Sequence, residues 1–158
     1  MPKGRKEAVA ITPPRVAGGE DIGEIRNVVG FHIRLAHGAV YRHFTETFAD
    51  LDLTQKEVSA LWLVADHPGT AQAGVARRMA MDRATTMAIV NRLEAKGYLV
   101  RRKSRTDGRK QALNLTGSGR RTLAMAKRAV SQHEQWLKSR FTEKEVTKLI
   151  ELLTRIHE

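Results

Sequence analysis

The stretch TAQAGVARRMAMDRATTMAIVNRLEAKGYLVRR, residues 70–102, decides the fold of this chain. Its apolar residues recur at helical spacing and predict one short helix over residues 71–79 and a second over residues 83–96. Asp82 is the natural N-cap of the second helix, and Gly97 is its C-terminal stop. Two short helices joined by a tight turn form a helix-turn-helix.

The second helix of this pair has two different faces. At helical spacing its inward stripe consists of Thr86, Ile89, Val90 and Leu93. A helix-turn-helix places its second helix in the DNA major groove, where side chains near the helix N-terminus reach base edges. The candidate DNA contacts are therefore the outward and N-terminal residues Arg83, Ala84, Thr85, Met87, Ala88 and Asn91.

These outward residues have specific capacities for bases. Asn91 can pair with adenine, and Thr85 can bond a base or a phosphate. Three apolar side chains can pack on thymine methyl groups, namely Ala84, Met87 and Ala88. The alternative is an ordinary amphipathic helix with a solvated outer face, and the apolar Met87 on that face favours contact with a partner.

Downstream of the helix-turn-helix, the sequence predicts a basic β-hairpin. Residues 98–102 and 111–115 look like short strands, and Asp107-Gly108 between them is a strong signal for a tight turn. An arginine at the tip of such a ribbon suits a narrow minor groove, and Arg109 is the candidate. Asp107 is predicted to orient a neighbouring arginine. The other basic residues are predicted to lie near phosphates, where they position the protein without reading sequence: Arg101, Arg102, Lys103, Arg105 and Lys110.

Helical patterns precede the helix-turn-helix. Residues 21–48 have apolar residues at helical spacing and predict one helix. Thr54-x-x-Glu57 is a capping box that opens the next helix, because each side chain can satisfy a backbone amide of the other residue. Thr70 is predicted to cap the first helix of the helix-turn-helix.

Two further helices follow the hairpin. Thr116 is predicted to start a helix over residues 117–140, and Thr142-x-x-Glu145 is a second capping box that opens a last helix. The sequence therefore predicts a mainly α-helical chain with one small β-hairpin.

Composition and charge agree with a single domain that has an anionic partner. The chain has 158 residues, with 28 Lys and Arg against 17 Asp and Glu, and a formal charge of +11. Residues 101–128 hold ten bases and one acid, 10 − 1 = +9, so the excess falls on the hairpin and the start of the next helix. A merely solvated basic face is the alternative to nucleic acid.

Several classes of protein are disfavoured. The absence of cysteine removes disulfides and thiolate zinc sites, and the six histidines show no metal-ligand spacing. No apolar run approaches the roughly 18 residues of a membrane span, and residues 1–20 lack the apolar segment of a signal peptide. No motif of a hydrolase or a nucleotide-binding enzyme is present. We expect a cytoplasmic protein that is not an enzyme and holds no metal or cofactor.

The region around the helix-turn-helix resembles the multiple-antibiotic-resistance regulator (MarR) family. The similarity runs from about Ile25 to the C-terminus, and its segments are Leu53-Thr54-Gln55, Ala60-Leu61-Trp62-Leu63, His67-Pro68-Gly69, Val75-Ala76-Arg77-Arg78-Met79, Met81-Asp82-Arg83-Ala84-Thr85-Thr86, residues 91–102, Asp107-Gly108-Arg109-Lys110 and Leu113-Asn114-Leu115-Thr116. The resemblance implies a winged helix-turn-helix within a homodimer whose first and last helices intertwine. It also maps the family's wing signature, Asp-x-Arg, onto Asp107 and Arg109.

The resemblance implies a division of the chain and a function. It implies a helical dimerisation region over residues 21–50 and 117–158 and a DNA-binding region over residues 51–116, whereas residues 1–20, which lie outside the similarity, are expected from their composition to form a flexible basic arm. The expected function is a dimeric transcriptional regulator, a repressor that binds a pseudo-palindromic operator in double-stranded DNA. The alternative is a sequence-neutral, architectural DNA-binding protein without an effector.

A small-molecule effector is also expected from the resemblance, such as an aromatic acid or its coenzyme A thioester. Arg34 is the sharpest candidate contact, since a buried arginine needs an anion as its partner. Core or dimer packing is the alternative for each of the proposed pocket residues, which are Phe31, Arg34, His37, Tyr41, Phe44 and Trp62.

Overall fold

The computed structural model describes residues 21–103 and 111–158. Within these residues it has six α-helices and one antiparallel hairpin, which confirms the predicted fold class. The elements are α1 (Val29–Thr47), α2 (Gln55–Asp66), α3 (Gln72–Arg78), α4 (Arg83–Ala95), β1 (Leu99–Lys103), β2 (Gln111–Leu115), α5 (Gly117–Lys138) and α6 (Glu143–His157), with 3-10 turns at Gly23–Asn27 and Ala49–Leu51.

The chain forms two compact units, whose boundary lies within α1. The first unit ends at Arg42, and the second is His43–Glu158. The prediction of one helix over residues 21–48 is wrong at its start, because Val28 is extended between the first 3-10 turn and α1. Val28 and Val29 are β-branched, and such side chains lose rotamer freedom in a helix, which weakens helix initiation there.

The core of the second unit fixes the helix-turn-helix. Its side chains that are at most 1% exposed include five aliphatic residues from α2, α3, α4 and β2: Leu61, Val75, Val90, Leu93 and Leu113. Each fully buried aliphatic side chain contributes about 1.5–3 kcal/mol to folding. Residues far apart in the chain therefore hold α4 in one position.

Local capping determines where most helices begin and end. Both capping boxes are present, Thr54 with Glu57 at α2 and Thr142 with Glu145 at α6. The side chain of Asp82 accepts from the amide of Thr85 at the start of α4. Gly97 has a φ of +72°, which confirms it as the residue that ends this helix.

The predicted cap at Thr70 is wrong. Ala71 is the N-cap of α3, and it makes no side-chain capping bond. Thr70 instead extends the hairpin sheet, because its carbonyl accepts from the amide of Leu113 at 2.8 Å and the amide of Gly69 donates to the Leu113 carbonyl at 2.9 Å. Backbone pairing with a distant strand has replaced the local cap.

The register of the hairpin assigns its side chains to two faces. Leu99 pairs with Leu115 and Arg101 pairs with Leu113, so these four residues share the face that packs on the core. Arg102 lies on the opposite face, since successive residues of a strand alternate. The two arginines of β1 therefore have different surroundings.

A pair of histidines lies in the second unit between the end of α1 and α5. The Nδ1 atoms of His43 and His133 are 2.8 Å apart, and the His43 ring stacks on Trp136 with centroids 3.9 Å apart. His133 is only 6% exposed, and Phe44 packs edge-on against its ring. Burial lowers the pKa of His133 below its ordinary value of 6.5, and the charge on His43 lowers it further.

This histidine makes the stability of the fold depend on pH. The unfolded chain takes up a proton at His133 near pH 6.5, whereas the folded chain does so only at lower pH. Because protonation then favours the unfolded chain, the free energy of unfolding is highest above about pH 6.5 and decreases as the pH falls toward the folded-state pKa of His133. We expect the free energy of unfolding, measured by denaturant titration at several pH values, to decrease from about pH 7 down toward the folded-state pKa of His133.

Substitution tests the assignment of this effect to His133. His133→Gln removes the titrating group and is expected to flatten the pH dependence in that window, whereas exposed His67→Gln is expected to retain the slope of the parent protein. Equal slopes in the parent and in His133→Gln would show that another group is responsible.

The last helix presents an exposed apolar face. None of the residues of α6 is buried, and its large apolar side chains are 36–64% exposed: Leu149, Ile150, Leu152, Leu153 and Ile156. None of the helices that the structure describes is long and apolar enough to cross a membrane. An exposed apolar stripe of this kind is typical of a contact surface with another protein chain.

Candidate nucleic-acid interface

The inward stripe of α4 is confirmed. Thr86 is 1% exposed, Ile89 is 8% exposed, and Val90 and Leu93 are fully buried. The Thr86 hydroxyl donates to the carbonyl of Asp82 at 2.8 Å, so the one polar group on this stripe is satisfied. The opposite face of α4 is consequently fixed toward the outside of the molecule.

The outer face of α4 is small and largely uncharged. Met87 at its centre is 50% exposed, and Thr85 is half-buried. The other predicted DNA contacts on this helix are exposed, namely Arg83, Ala84, Ala88 and Asn91. The structure thus brings all six predicted residues to one accessible surface, which we call the α4 face.

The N-terminus of α4 is organised by Asp82. Its Oδ1 accepts from the amide of Thr85 at 2.8 Å, and its Oδ2 accepts from the Thr85 hydroxyl at 2.6 Å. These bonds, the side-chain bond first, hold the pKa of Asp82 below its ordinary value. The Thr85 hydroxyl already uses its proton, so contact with a phosphate acceptor requires this bond to be exchanged.

Arg101 is engaged within the protein. Its Nη1 forms an ion pair with the Glu94 carboxylate, and its Nη2 donates to Oδ1 of Asn91 at 2.6 Å and to Oε1 of Gln72 at 3.4 Å. The side chain is 21% exposed. The predicted role of Arg101 at a phosphate stays a prediction, but in this structure the guanidinium links β1 to α4 and α3.

The remaining predicted contacts on the hairpin divide into two groups. Arg102 and Lys103 are exposed at the distal end of β1, and their position near phosphates stays a prediction. Arg105, Asp107, Arg109 and Lys110 lie outside the described residues.

A buried carboxylate also links α2 to α4, and the capping box alone did not predict this role. Glu57 is 1% exposed, and its Oε1 is 3.5 Å from Nη1 of Arg92 while its Oε2 is 3.9 Å from Nζ of Lys96. Oε1 makes no hydrogen bond with any described residue. Lys96 also pairs with Asp52 at 3.2 Å, so the C-terminal turn of α4 is tied to two preceding segments.

A cavity of about 330 Å³ lies between the end of α2, the outer face of the hairpin and the start of α5. Its apolar wall includes Val64 and Pro68, and its polar wall consists of Arg102, Asn114 and Arg120. Arg120 donates to the carbonyl of Leu115 at 3.1 Å, and no carboxylate lines the cavity in the described residues. This volume is at the lower end of the range for small-molecule sites.

The predicted effector residues fall in both units. In the first unit, Arg34 is exposed and its guanidinium lies 5.3 Å from the centre of the Phe31 ring, so the argument from a buried arginine does not apply. His37 stacks on Tyr41 in the same unit, with centroids 6.3 Å apart. The binding role of these residues stays a prediction.

The other two predicted effector residues belong to the second unit. Phe44 is buried and stacks on Phe48, with centroids 3.9 Å apart. Trp62 is half-buried, and Nζ of Lys127 lies 4.3 Å from its ring centre. Phe44 therefore has a packing role in the core, and Trp62 makes a cation–π contact with Lys127.

A helix-turn-helix with an accessible α4 face, followed directly by a basic hairpin, defines a winged helix-turn-helix DNA-binding protein. The MarR family model matches residues 51–110 of this chain. A protein of Thauera aromatica, named as a transcriptional regulatory protein for the hcr operon, is 34% identical over 136 residues, which are 85% of this chain and 82% of the relative. The chain belongs to the MarR family of DNA-binding transcriptional regulators.

Solved structures agree with this assignment. The transcriptional repressor CouR bound to a 23-mer DNA duplex has a TM-score of 0.82 and 31% identity, covering 88% of this chain and 99% of CouR. CouR bound to p-coumaroyl-CoA has a TM-score of 0.80 and 30% identity, covering 87% of this chain and 97% of CouR. Regulators of the MarR family are dimers.

Proposed function

We propose that this chain is a homodimeric repressor that binds a pseudo-palindromic operator and is released by a small anionic effector. The α4 face carries this proposal, because it is accessible and has small side chains that fit the major groove. The opposite side of α4 is buried, which fixes this orientation of the helix. The similarity to CouR, a repressor bound to a DNA duplex, supports repression. Such a regulator is expected to work in the cytoplasm, together with the DNA.

A symmetric dimer follows from the apolar face of α6. Five large apolar side chains on one helix are exposed, and association with a second copy would remove them from water. A two-fold dimer places its two α4 helices about one DNA turn apart, which accounts for a pseudo-palindromic operator.

The cavity beside the hairpin is our proposed contact for the effector. It offers two guanidinium groups and one amide beside an apolar wall, with no described carboxylate among them. Such a site suits an anion with a compact apolar body, since guanidinium groups bind carboxylate and phosphate oxygens with good geometry. CouR binds p-coumaroyl-CoA, an aromatic thioester that also carries phosphates, and this supports an aromatic acid or its coenzyme A thioester here.

If the cavity binds the effector, Arg120→Gln is expected to weaken effector binding selectively. A thermal-shift screen of aromatic acids and their coenzyme A thioesters would first identify a stabilising ligand. Loss of one charge-assisted hydrogen bond is then expected to weaken its binding about tenfold or more, measured by titration calorimetry. The ligand concentration that releases operator DNA should rise by the same factor.

Arg121→Gln is the matched control, because Arg121 is an exposed neighbour on α5 that does not line the cavity. Equal ligand affinities in the two variants would exclude the cavity as the effector site. A screen without any stabilising ligand would contradict release by this class of effector.

A further inference from the structure

We propose that Arg101 is a specificity-determining positioning residue, which fixes the side-chain amide of Asn91 so that its NH₂ group donates to a base acceptor in the operator. This inference rests on the proposed docking of α4 in the major groove. It adds a fixed orientation to the base contact that residue type alone suggests for Asn91.

The orientation of the Asn91 amide follows from the chemistry of its neighbour. An arginine side chain has only hydrogen-bond donors, so the atom of Asn91 that faces it must be the carbonyl Oδ1. The Arg101 Nη2 lies 2.6 Å from Oδ1, which is a short, charge-assisted bond. An amide flipped by 180° would place two donors against each other, and this state is excluded electrostatically.

Arg101 is itself held in place from two sides. Glu94, one helical turn after Asn91 on α4, binds Nη1, and Gln72 of α3 accepts from Nη2 at 3.4 Å. The Arg101 side chain is 21% exposed and lies on the core-facing side of β1. The guanidinium is therefore a fixed part of the scaffold, and Asn91 takes its orientation from it.

This arrangement decides which atoms of Asn91 are available to DNA. Oδ1 already accepts a strong bond, whereas the Nδ2 group has no acceptor among the described residues and belongs to an exposed side chain. Adenine recognition uses both Oδ1, as acceptor from N6, and Nδ2, as donor to N7. An amide oxygen has two lone pairs, so the fixed Asn91 presents its Nδ2 donor, together with the second lone pair of Oδ1, to the base edge.

The test is selection of bound sequences from a random duplex library by the full-length protein. The position that Asn91 reads is the one whose base preference disappears in Asn91→Ala. The parent protein is expected to prefer one base there by about tenfold over the others.

Two Arg101 variants separate positioning from a structural role. Arg101→Met removes every donor, and Arg101→Lys retains the charge beside Glu94 but cannot bind Glu94 and Asn91 through a planar fork. Both are expected to lose the preference at the Asn91 position while the other positions of the selected sequence stay unchanged. Arg101→Lys keeps the test valid if Arg101→Met does not fold.

Arg102→Met is the matched control, since Arg102 is exposed on the opposite face of the same strand. It is expected to weaken all sequences alike and to leave every base preference in place. A parent-like preference in both Arg101 variants would contradict the inference. Base preferences at other positions, but none that depends on Asn91, would also overturn the inference while leaving the proposed function intact. A selection without any sequence preference would contradict the proposed function itself.

Discussion

Replacement of Ala84 by glutamate is expected to lower the affinity for the operator by about a hundredfold or more, measured by fluorescence anisotropy at fixed salt. Ala84 is exposed in the first turn of α4, on the face predicted to enter the major groove. A glutamate there adds bulk and negative charge between the phosphate backbones, and it also removes an apolar base contact. The loss corresponds to about 2.8 kcal/mol, since each factor of ten is about 1.4 kcal/mol.

The same substitution should not harm the fold. An acidic residue in the first turn of a helix interacts favourably with the helix dipole, so the free energy of unfolding should be unchanged or slightly increased. Ser59→Glu is the matched control, because it adds the same charge at an exposed position of α2. If both variants weaken DNA binding equally, net charge rather than the α4 face determines the affinity.

Gly119→Ala is expected to lower the free energy of unfolding by about 3 kcal/mol or more. A Cβ atom at this position would lie 2.0 Å from the carbonyl oxygen of Tyr98. That oxygen belongs to the backbone and accepts from the amide of Thr116 at 3.0 Å, so no flexible side chain can move aside. The base of the hairpin and the start of α5 would have to separate.

Gly117→Ala provides the comparison within the same helical turn. The nearest atom to a Cβ there is Nη1 of the flexible Arg121 side chain, at 3.7 Å. This variant is expected to be neutral or stabilised by up to about 1 kcal/mol, because alanine favours helices over glycine. Denaturant unfolding at one fixed protein concentration measures both, and equal stabilities would contradict the close packing of Gly119.

Local signals predicted much of this fold. The capping boxes at Thr54 and Thr142 and the caps at Asp82 and Thr116 depend on atoms a few residues apart, so the pattern in the sequence was sufficient. The Thr70 cap failed because the competing partner, β2, lies far along the chain. Sequence periodicity contains no information about such a pairing.

In the candidate DNA interface, too, local contacts could be predicted from the sequence and long-range contacts could not. The α4 face followed from helical spacing around Val90 and Leu93, which are buried as expected. The capture of Arg101 by Glu94 and Asn91 depends on how β1 packs on α4, and a run of basic residues gives no sign of which one is paired. The cavity beside the hairpin likewise combines three elements distant in sequence, so residue type alone did not locate it.

The central claim is sequence-specific binding of a symmetric dimer through two α4 faces. The most direct test selects genomic fragments with the full-length protein, measures their competition against random duplex at one salt concentration, and footprints the winning fragment. We predict that a specific fragment binds about 10³-fold or more tightly than random duplex. Its footprint should be dyad-symmetric, with half-site centres about 10 base pairs apart. An advantage below about tenfold, or a footprint without dyad symmetry, would contradict this account.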